Sequence, residues 1–260
     1  MINKYKFSKY LLFLIFFSCG LFATKKLPEN FYINYGVLQS IKLRNVEIEK
    51  TQISSGEVKV KYKSEKKKYD LNVQLITKKF LKFYGDKKIQ SQGVIGKKGL
   101  LFNTFIVKDI KRPKKNIRVV YDRKKQKLTI DYKKKIFEQF HYEKSKFIGN
   151  LLDIPTLILQ FHFEELKSIY SFQFTEGKKI KNIEYRKIKD ENLRINGNDY
   201  ITELYEGKIP LSKKQNSNHF VWISKGTYRI PIKVRFEIKN GFMIDLNIKK
   251  TDLVLKKINE

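Results

Sequence analysis

The sequence predicts a mainly β protein: an antiparallel, strongly curved sheet or an open barrel or sandwich, with one main helix near residues 153–166. Three observations support this fold class. Past Pro28, apolar and polar side chains alternate with a period of two, the segments between these runs are short, and helical spacing stands out in one place. Short connections favour antiparallel pairs, because a parallel pair needs a long crossover.

The first strands are predicted where apolar residues alternate with charged or amide residues. Val58, Val60 and Tyr62 alternate with lysines, and residues 69–75 alternate in the same way. Residues 117–121 and 128–132 form two further runs, and residues 122–126 lie between them as a turn. These two runs therefore predict a β-hairpin.

Alternation resumes after residue 165 and continues to the C-terminal region. The predicted strands are residues 169–174, 180–188, 200–205, 219–224, 230–238 and 242–248. Glu176-Gly177 separates the first two, and Asn240-Gly241 between the last two is a type I′ turn signal. The last three strands therefore predict a meander.

One segment breaks the alternation and predicts the helix. Asp153 is a suitable N-cap, Pro155 falls in the first turn, and apolar residues follow at helical spacing as Ile154, Leu157, Ile158 and Phe161. Residues 80–84 are too short and ambiguous to assign. A single amphipathic helix beside a large sheet is expected to cover one face of it or to plug it.

The N-terminal segment predicts export. Residues 1–10 carry Lys4, Lys6 and Lys9 without an acid, and an apolar run follows that is too short for a comfortable membrane span. We therefore interpret residues 1–23 as a signal peptide and residues 24–260 as a single antiparallel β domain in the periplasm or cell envelope. Cleavage after residues 18–20 and cleavage after residues 21–23 both remain open.

Cys19, the only cysteine, lies at the end of the apolar run. A lipoprotein signal would place its acylated cysteine there, which would attach the protein to a membrane. The alternative is that Cys19 is removed with the signal. In either case the mature domain has no disulfide, so its core must supply the stability.

The formal charge of +30 arises from 48 Lys and only eight Arg against 26 Asp and Glu. Because nucleic-acid readers rely on Arg for bidentate contacts, we expect no nucleic-acid partner. A single Ala beside abundant Lys, Ile and Asn indicates AT-rich codon usage, and attraction to an anionic envelope surface is the alternative. The densest lysine runs, residues 66–68 and 133–135, lie beside predicted turns.

Short motifs resemble a known family. They are Phe31 to Gly36, Ser91-Gln92-Gly93 followed by Gly99-Leu100-Leu101-Phe102, Asp153 through Thr156 and Gln160, Val221 to Ser224, and Pro231 to Val234. Together they resemble the domain of unknown function 3108 family of exported proteobacterial proteins. Pro155 and Asn103 depart from the family pattern at positions that affect turn geometry. The resemblance implies an exported, mainly antiparallel β protein with no established activity and no catalytic residues to transfer.

No residue is predicted to be catalytic, to bind a cofactor or to bind a metal. His141, His162 and His219 lack a second ligand at a metal-binding spacing. Gly93, Gly96 and Gly99 match neither phosphate-binding glycine pattern, so we interpret them as turn glycines. There is also no G-x-S-x-G elbow.

Phe220 and Trp222 lie in one alternating run and are the best candidates for lining an apolar ligand cavity, although packing of Trp222 in the core also explains the pattern. The first functional hypothesis is a non-enzymatic envelope protein that binds an apolar or amphiphilic molecule, such as a lipid, or an envelope partner. The alternative is an envelope hydrolase acting on glycan or peptide, which requires convergent carboxylates in a cleft.

Overall fold

Within the described residues, fifteen strands form one large, mostly antiparallel sheet that does not close into a barrel. The structure is a computed structural model that describes residues 26–41, 54–78, 85–140, 150–212, 215–237 and 242–255. The mainly β, curved antiparallel fold predicted from the sequence is confirmed.

The elements follow one another along the chain with short connections. The strands are β1 (Asn30–Ile41), β2 (Ser54–Glu65), β3 (Lys68–Thr77), β4 (Lys87–Gly96), β5 (Gly99–Asp109), β6 (Ile117–Asp122), β7 (Lys127–Tyr132), β8 (Lys135–Phe140), β9 (Leu151–Asp153), β10 (Ile169–Thr175), β11 (Ile180–Ile195), β12 (Asn198–Ser212), β13 (Gln215–Ser224), β14 (Pro231–Glu237) and β15 (Phe242–Thr251). Helix α1 (Ile154–Phe163) follows β9, and a 3₁₀ helix (Pro113–Lys115) joins β5 to β6.

The strand order shows two meanders that meet in the middle of the sheet. It runs β8-β7-β6-β5-β4-β3-β2-β1-β15-β14-β13-β12-β11-β10-β9. The first and last long strands pair directly, with Val37 opposite Leu246. One pair departs from the antiparallel prediction, because β9 runs parallel to β10 and the chain returns through the α1 region between them.

The sheet curves around α1. The helix contacts β3, β4 and β5 on one side and β9 and β10 on the other, and β9 also approaches β5. Leu159 packs in a larger core with β1 to β7, whereas Phe161 packs in an aromatic core formed by β10 to β13. The two cores therefore meet at the helix.

Most predicted elements agree with the structure, with different ends. The hairpin at residues 117–132 is present as β6 and β7, and the Glu176-Gly177 turn is present with Gly177 at φ 101°. The helix ends at Phe163 rather than near residue 166, because Glu164 is already extended at φ −78° and ψ 148°. Gly93 is not a turn glycine: it lies within β4 at a bulge, where a Cβ atom would be 1.9 Å from the carbonyl oxygen of Leu101.

Several predictions concern residues outside the described part of the chain. They are the signal peptide at residues 1–23 with Cys19, the ambiguous segment 80–84, His141 and the Asn240-Gly241 turn. These stay predictions.

Candidate functional site

The N-terminal end of α1 is held by a capping box. The Asp153 carboxylate accepts hydrogen bonds from the backbone N–H of Thr156 at 2.8 Å and from its hydroxyl at 2.8 Å. In return the Thr156 hydroxyl oxygen accepts the Asp153 N–H at 2.9 Å. Both side chains are fully buried. The sequence prediction that Asp153 caps the helix is confirmed, and Pro155 lies in the first turn as expected.

A polar cluster surrounds this cap. The hydroxyl groups of Tyr69 and Ser91 lie 3.1 Å apart, and both residues are buried beneath the helix. Burial raises the pKa of Asp153 to about 6, and hydrogen bonds from Ser91 and Thr156 offset the effect only in part. Asp153 therefore has the raised pKa of a general acid but is closed to solvent.

The C-terminal end of α1 is held by Arg229, which lies between β13 and β14. Its guanidinium donates to the carbonyl oxygen of Phe161 at 3.1 Å and to that of Glu164 at 3.3 Å. It also donates to the Tyr170 hydroxyl at 3.1 Å and to the Glu203 carboxylate at 2.8 Å. Arg229 thus satisfies carbonyls that the end of a helix leaves without partners.

Glu203 links this arginine to the surface. Its second carboxylate oxygen accepts a hydrogen bond from the Lys187 ammonium at 2.9 Å, and Lys187 also pairs with Asp190 at 2.6 Å. Burial raises the pKa of Glu203, but the hydrogen bonds and charges of Lys187 and Arg229 outweigh burial and hold the pKa below its ordinary value. The network is a chain of charges that starts at the buried helix end.

The concave side of the sheet is occupied by the helix and its two cores. The Phe161 ring packs edge-on against Tyr170 at 5.3 Å, Phe172 at 5.4 Å and Tyr185 at 5.4 Å between ring centroids. Hydrogen bonds hold both helix ends, so α1 is an integral part of this packing. A ligand has to bind elsewhere on the molecule or replace the helix.

The structure places Phe220 and Trp222 on one face of β13 but not against α1. Val221 and Ile223 lie in the aromatic core, so the two candidates that alternate with them point to the opposite face. Their ring centroids are 6.4 Å apart, and the Lys233 ammonium lies 4.9 Å from the centre of the Trp222 ring. The Trp222 indole N–H donates to Glu191, and the residue is only 7% exposed.

Two of the three histidines are described, and both are buried. His162 lies in α1 beside Phe163 and Tyr228, with ring centroids 5.2 and 5.8 Å away. His219 packs edge-on against Phe236 at 4.6 Å. Burial, with a contribution from the charge of Lys181, lowers the pKa of His219 to about 4. The two histidines occupy different environments and do not form one site.

A groove of about 690 Å³, lined mainly by charged and polar residue types, lies where β2, β3, β4 and β5 run side by side. Asp70 lies in it and accepts hydrogen bonds from the side-chain amides of Asn72 at 2.9 Å and Gln90 at 3.1 Å. Lys63, Lys66 and Lys68 also line it. The hydrogen-bonding capacity of Asp70 is thus largely used by its neighbours.

The edge strand β8 was not predicted, and it carries exposed apolar side chains. Ile136 is 73% exposed, Phe137 48% and Phe140 50%. The strand pairs with β7 and is the last in the strand order, so its other edge has no strand partner within the described ranges. A strand with one face against the core exposes only every second side chain. Strand β8 lies at the edge of the sheet, and side chains on both of its faces are exposed.

The described residues contain neither a metal-binding cluster nor a helix suited to span a membrane. No group of three or more His, Cys, Asp or Glu side chains is arranged to hold a metal ion there. Across the same ranges, no helix has the length and apolar character needed to cross a bilayer.

Comparison with solved structures supports the fold. The crystal structure of a β-barrel-like protein of the domain of unknown function DUF1849 from Brucella abortus has a TM-score of 0.57 at 11% identity, over 86% of this chain and 98% of that one. At this identity the likeness concerns the fold alone. The Mycobacterium tuberculosis lipoprotein LppX aligns over 86% of this chain and 88% of its own at 10% identity, but its TM-score of 0.27 is too low to indicate a shared fold.

Comparison with curated proteins gives no match. A family model does match: it is described as a protein of unknown function, DUF3108, and it covers residues 39–247. This range includes β2 to β14 and most of the motifs that suggested the resemblance in the sequence. The chain belongs to the DUF3108 family of proteins of unknown function.

Proposed function

We propose that this chain is an exported, non-enzymatic protein of the cell envelope that binds an amphiphilic molecule at the outer edge of its sheet. The observation that carries the proposal is the edge strand β8, where Ile136, Phe137 and Phe140 are half to three-quarters exposed. Clustered exposed apolar side chains mark sites for partners or membranes. Helix α1 occupies the concave side, so the edge is the better site for an apolar chain.

The residues around β8 supply the polar part of an amphiphile's site. Lys135 begins the strand, and Lys127 on the neighbouring strand forms an ion pair with Glu138 at 2.8 Å. Because side chains alternate, Ile136 and Phe140 share one face with Glu138, and Phe137 shares the other with Ile130. Apolar and charged groups therefore stand side by side within one strand.

The proposal is tested by native mass spectrometry of the full chain purified from membranes in mild detergent. We expect lipid adducts, and we expect added lipid to raise the melting temperature. The variant Ile136→Ser/Phe140→Ser should lose both effects. The matched control is Leu166→Ser/Val254→Ser, which removes two apolar side chains that are 68% and 73% exposed and lie outside β7 and β8. A clean mass without adducts and no stabilisation by lipid would contradict the proposal.

The hydrolase alternative finds its best candidate in Asp153, whose raised pKa would suit a general acid. However, Asp153 and Ser91 are both fully buried, and the Asp153 carboxylate is engaged in the capping box. A substrate would have to displace α1 to reach them. The geometry of the described residues therefore favours binding over hydrolysis.

A further inference from the structure

Three segments that are distant in the sequence meet at one end of the sheet. They are the β5–β6 connection, the β7–β8 turn and the β10–β11 turn. The Lys178 ammonium in the β10–β11 turn lies 3.8 Å from the centre of the ring of Tyr132, which directly precedes the β7–β8 turn. Gly177 lies so close to the start of β6, next to the β5–β6 connection, that a Cβ atom would be 2.7 Å from the Ile117 side chain.

These segments bring together eight exposed lysines, which we name the basic rim: Lys111, Lys114, Lys115, Lys133, Lys134, Lys135, Lys178 and Lys179. Strands β5 to β8 lie side by side, and three strand spacings give this part of the rim a width of about 14 Å. The β10–β11 turn extends the rim beyond these strands. Lysine runs from separate parts of the chain thus form one surface, which the sequence alone did not indicate.

Two nearby carboxylates pair with cations that are not rim lysines. Asp109 pairs with Arg112 at 2.9 Å, and Glu176 pairs with Lys181 at 2.7 Å, so both have cations of their own outside the rim. Asp131 is the remaining acid beside the β7–β8 turn. A hydrogen bond from Lys178, together with the charges of Lys178 and Lys133, lowers the pKa of Tyr132, which agrees with a positive potential at the rim.

Exposed apolar side chains lie next to the basic rim. Ile110 precedes the lysines of the β5–β6 connection and is 51% exposed, and Ile136 follows those of the β7–β8 turn and is 73% exposed. Cations next to exposed aliphatic side chains match the boundary of an anionic bilayer, where phosphates lie above acyl chains. An anionic polysaccharide or a nucleic acid would leave these isoleucines in water.

We propose that the basic rim, with Ile110 and Ile136, is a docking surface for anionic phospholipid membranes. The inference rests on the proposed function and names its partner class: the apolar residues of β8 enter the interface and the rim lysines bind headgroup phosphates. Each lysine near such a surface contributes about a fivefold change in partitioning.

The turn between β7 and β8 allows a test that preserves the fold. Lys133 and Lys134 have φ values of 53° and 59°, in the left-handed region where asparagine is preferred over lysine. The variant Lys133→Asn/Lys134→Asn therefore removes two rim charges without backbone strain. The β2–β3 turn is a matched control, because Lys66 and Lys67 have φ values of 47° and 63° and lie at the opposite end of the sheet. The variant Lys66→Asn/Lys67→Asn removes the same charge in the same geometry.

The experiment measures the flotation of the full chain with vesicles of phosphatidylcholine alone or with phosphatidylglycerol. We expect binding only with phosphatidylglycerol, weakened by salt, with partitioning lowered about 25-fold by Lys133→Asn/Lys134→Asn. The Lys66→Asn/Lys67→Asn control should stay within about threefold of the unchanged chain. Inorganic phosphate at equal ionic strength should not compete, since a free anion does not engage the isoleucines.

Equal losses in the two variants would overturn the inference, since net charge rather than the rim would then control binding. Competition by free phosphate would also overturn it. If the rim variant binds vesicles normally while lipid adducts persist in native mass spectra, the rim inference fails and the proposed function stands. If adducts and vesicle binding are both absent, the proposed function fails as well.

Discussion

The two ends of α1 are fixed by opposite means. At the N-terminal end, Asp153 is buried with Thr156 and Ser91 and has no cation at hydrogen-bond distance among the contacts described. At the C-terminal end, Glu203 is also buried but pairs with Arg229 at 2.8 Å and Lys187 at 2.9 Å. The comparison shows that burial alone favours the protonated carboxyl, whereas burial with two cations favours the ionised one.

The two ends consequently respond to pH in opposite directions. The folded-state pKa of Asp153, about 6, lies above its ordinary value of 3.8, so its contribution to stability is full below pH 3.8 and is lost as the pH rises through 6. The pKa of Glu203 is lowered, so its contribution is present above its ordinary value of 4.5 and is lost as the pH falls through the folded-state pKa.

The largest effect is expected when the ion pair is broken. Arg229→Met leaves Glu203 buried without its closest cation and removes the donor to the Phe161 and Glu164 carbonyls, which should cost about 3–5 kcal/mol of unfolding free energy. Urea denaturation measures the change. The control Arg186→Met removes an arginine whose side chain is 68% exposed, and it should cost less than about 0.5 kcal/mol. A cost below about 1 kcal/mol for Arg229→Met would show that the C-terminal end of α1 does not depend on the ion pair between Arg229 and Glu203.

The next effect concerns the pH dependence at the other end. Asp153→Asn keeps a good N-cap but cannot ionise, so the variant should match the unchanged protein near pH 4 and exceed its stability by about 3 kcal/mol near pH 8. Denaturation at both pH values gives the difference, in which the shared contributions of Glu203 and His219 cancel. A variant that is less stable at pH 8 would mean that the ionised Asp153 carboxylate is well compensated.

A smaller loss is expected when the capping box loses its second member. Thr156→Val removes the hydroxyl that binds both the Asp153 carboxylate and the Asp153 N–H, while keeping the shape of the side chain. The expected cost is about 1–2 kcal/mol, measured by thermal or urea unfolding at pH 5. Thr129→Val, on the strand β7 and away from the helix, is the control and should be nearly neutral. Equal effects in the two variants would argue against a capping role.

The smallest effect is expected at the surface end of the charge chain. Lys187 is 28% exposed, so Lys187→Met should cost only about 0.2–1 kcal/mol, and less in high salt. Unfolding in low and high salt measures it. A cost that equals that of Arg229→Met would mean that Glu203 depends on both cations alike.

Local features of the fold could be predicted from the sequence. Alternation located strands such as β6 and β7, and the cap at Asp153 with Pro155 located the start of α1, because these signals act within a few residues. The end of the helix could not be found in this way. It depends on Arg229, which is separated from Phe161 by 68 positions.

The candidate site was harder to predict because it also depends on contacts between residues that are far apart in the sequence. Phe220 and Trp222 were identified as one face of one strand, but alternation does not say which face meets the helix. The basic rim joins segments from three connections, and the sequence showed only the separate runs. One signal was available for Arg229: in a chain with 48 Lys, each of the eight Arg is a departure from the composition. Arginine suits buried ion pairs better than lysine does.

The pairing of β1 with β15 has a consequence for how the chain matures. A ribosome or a secretion channel releases the N-terminal end first, so β1 emerges long before the partner of its second edge, more than 200 positions later. Until then that edge offers unpaired N–H and C=O groups to any passing chain. Completion of this edge therefore depends on the later synthesis of β15, and a holding chaperone would act best by covering β1.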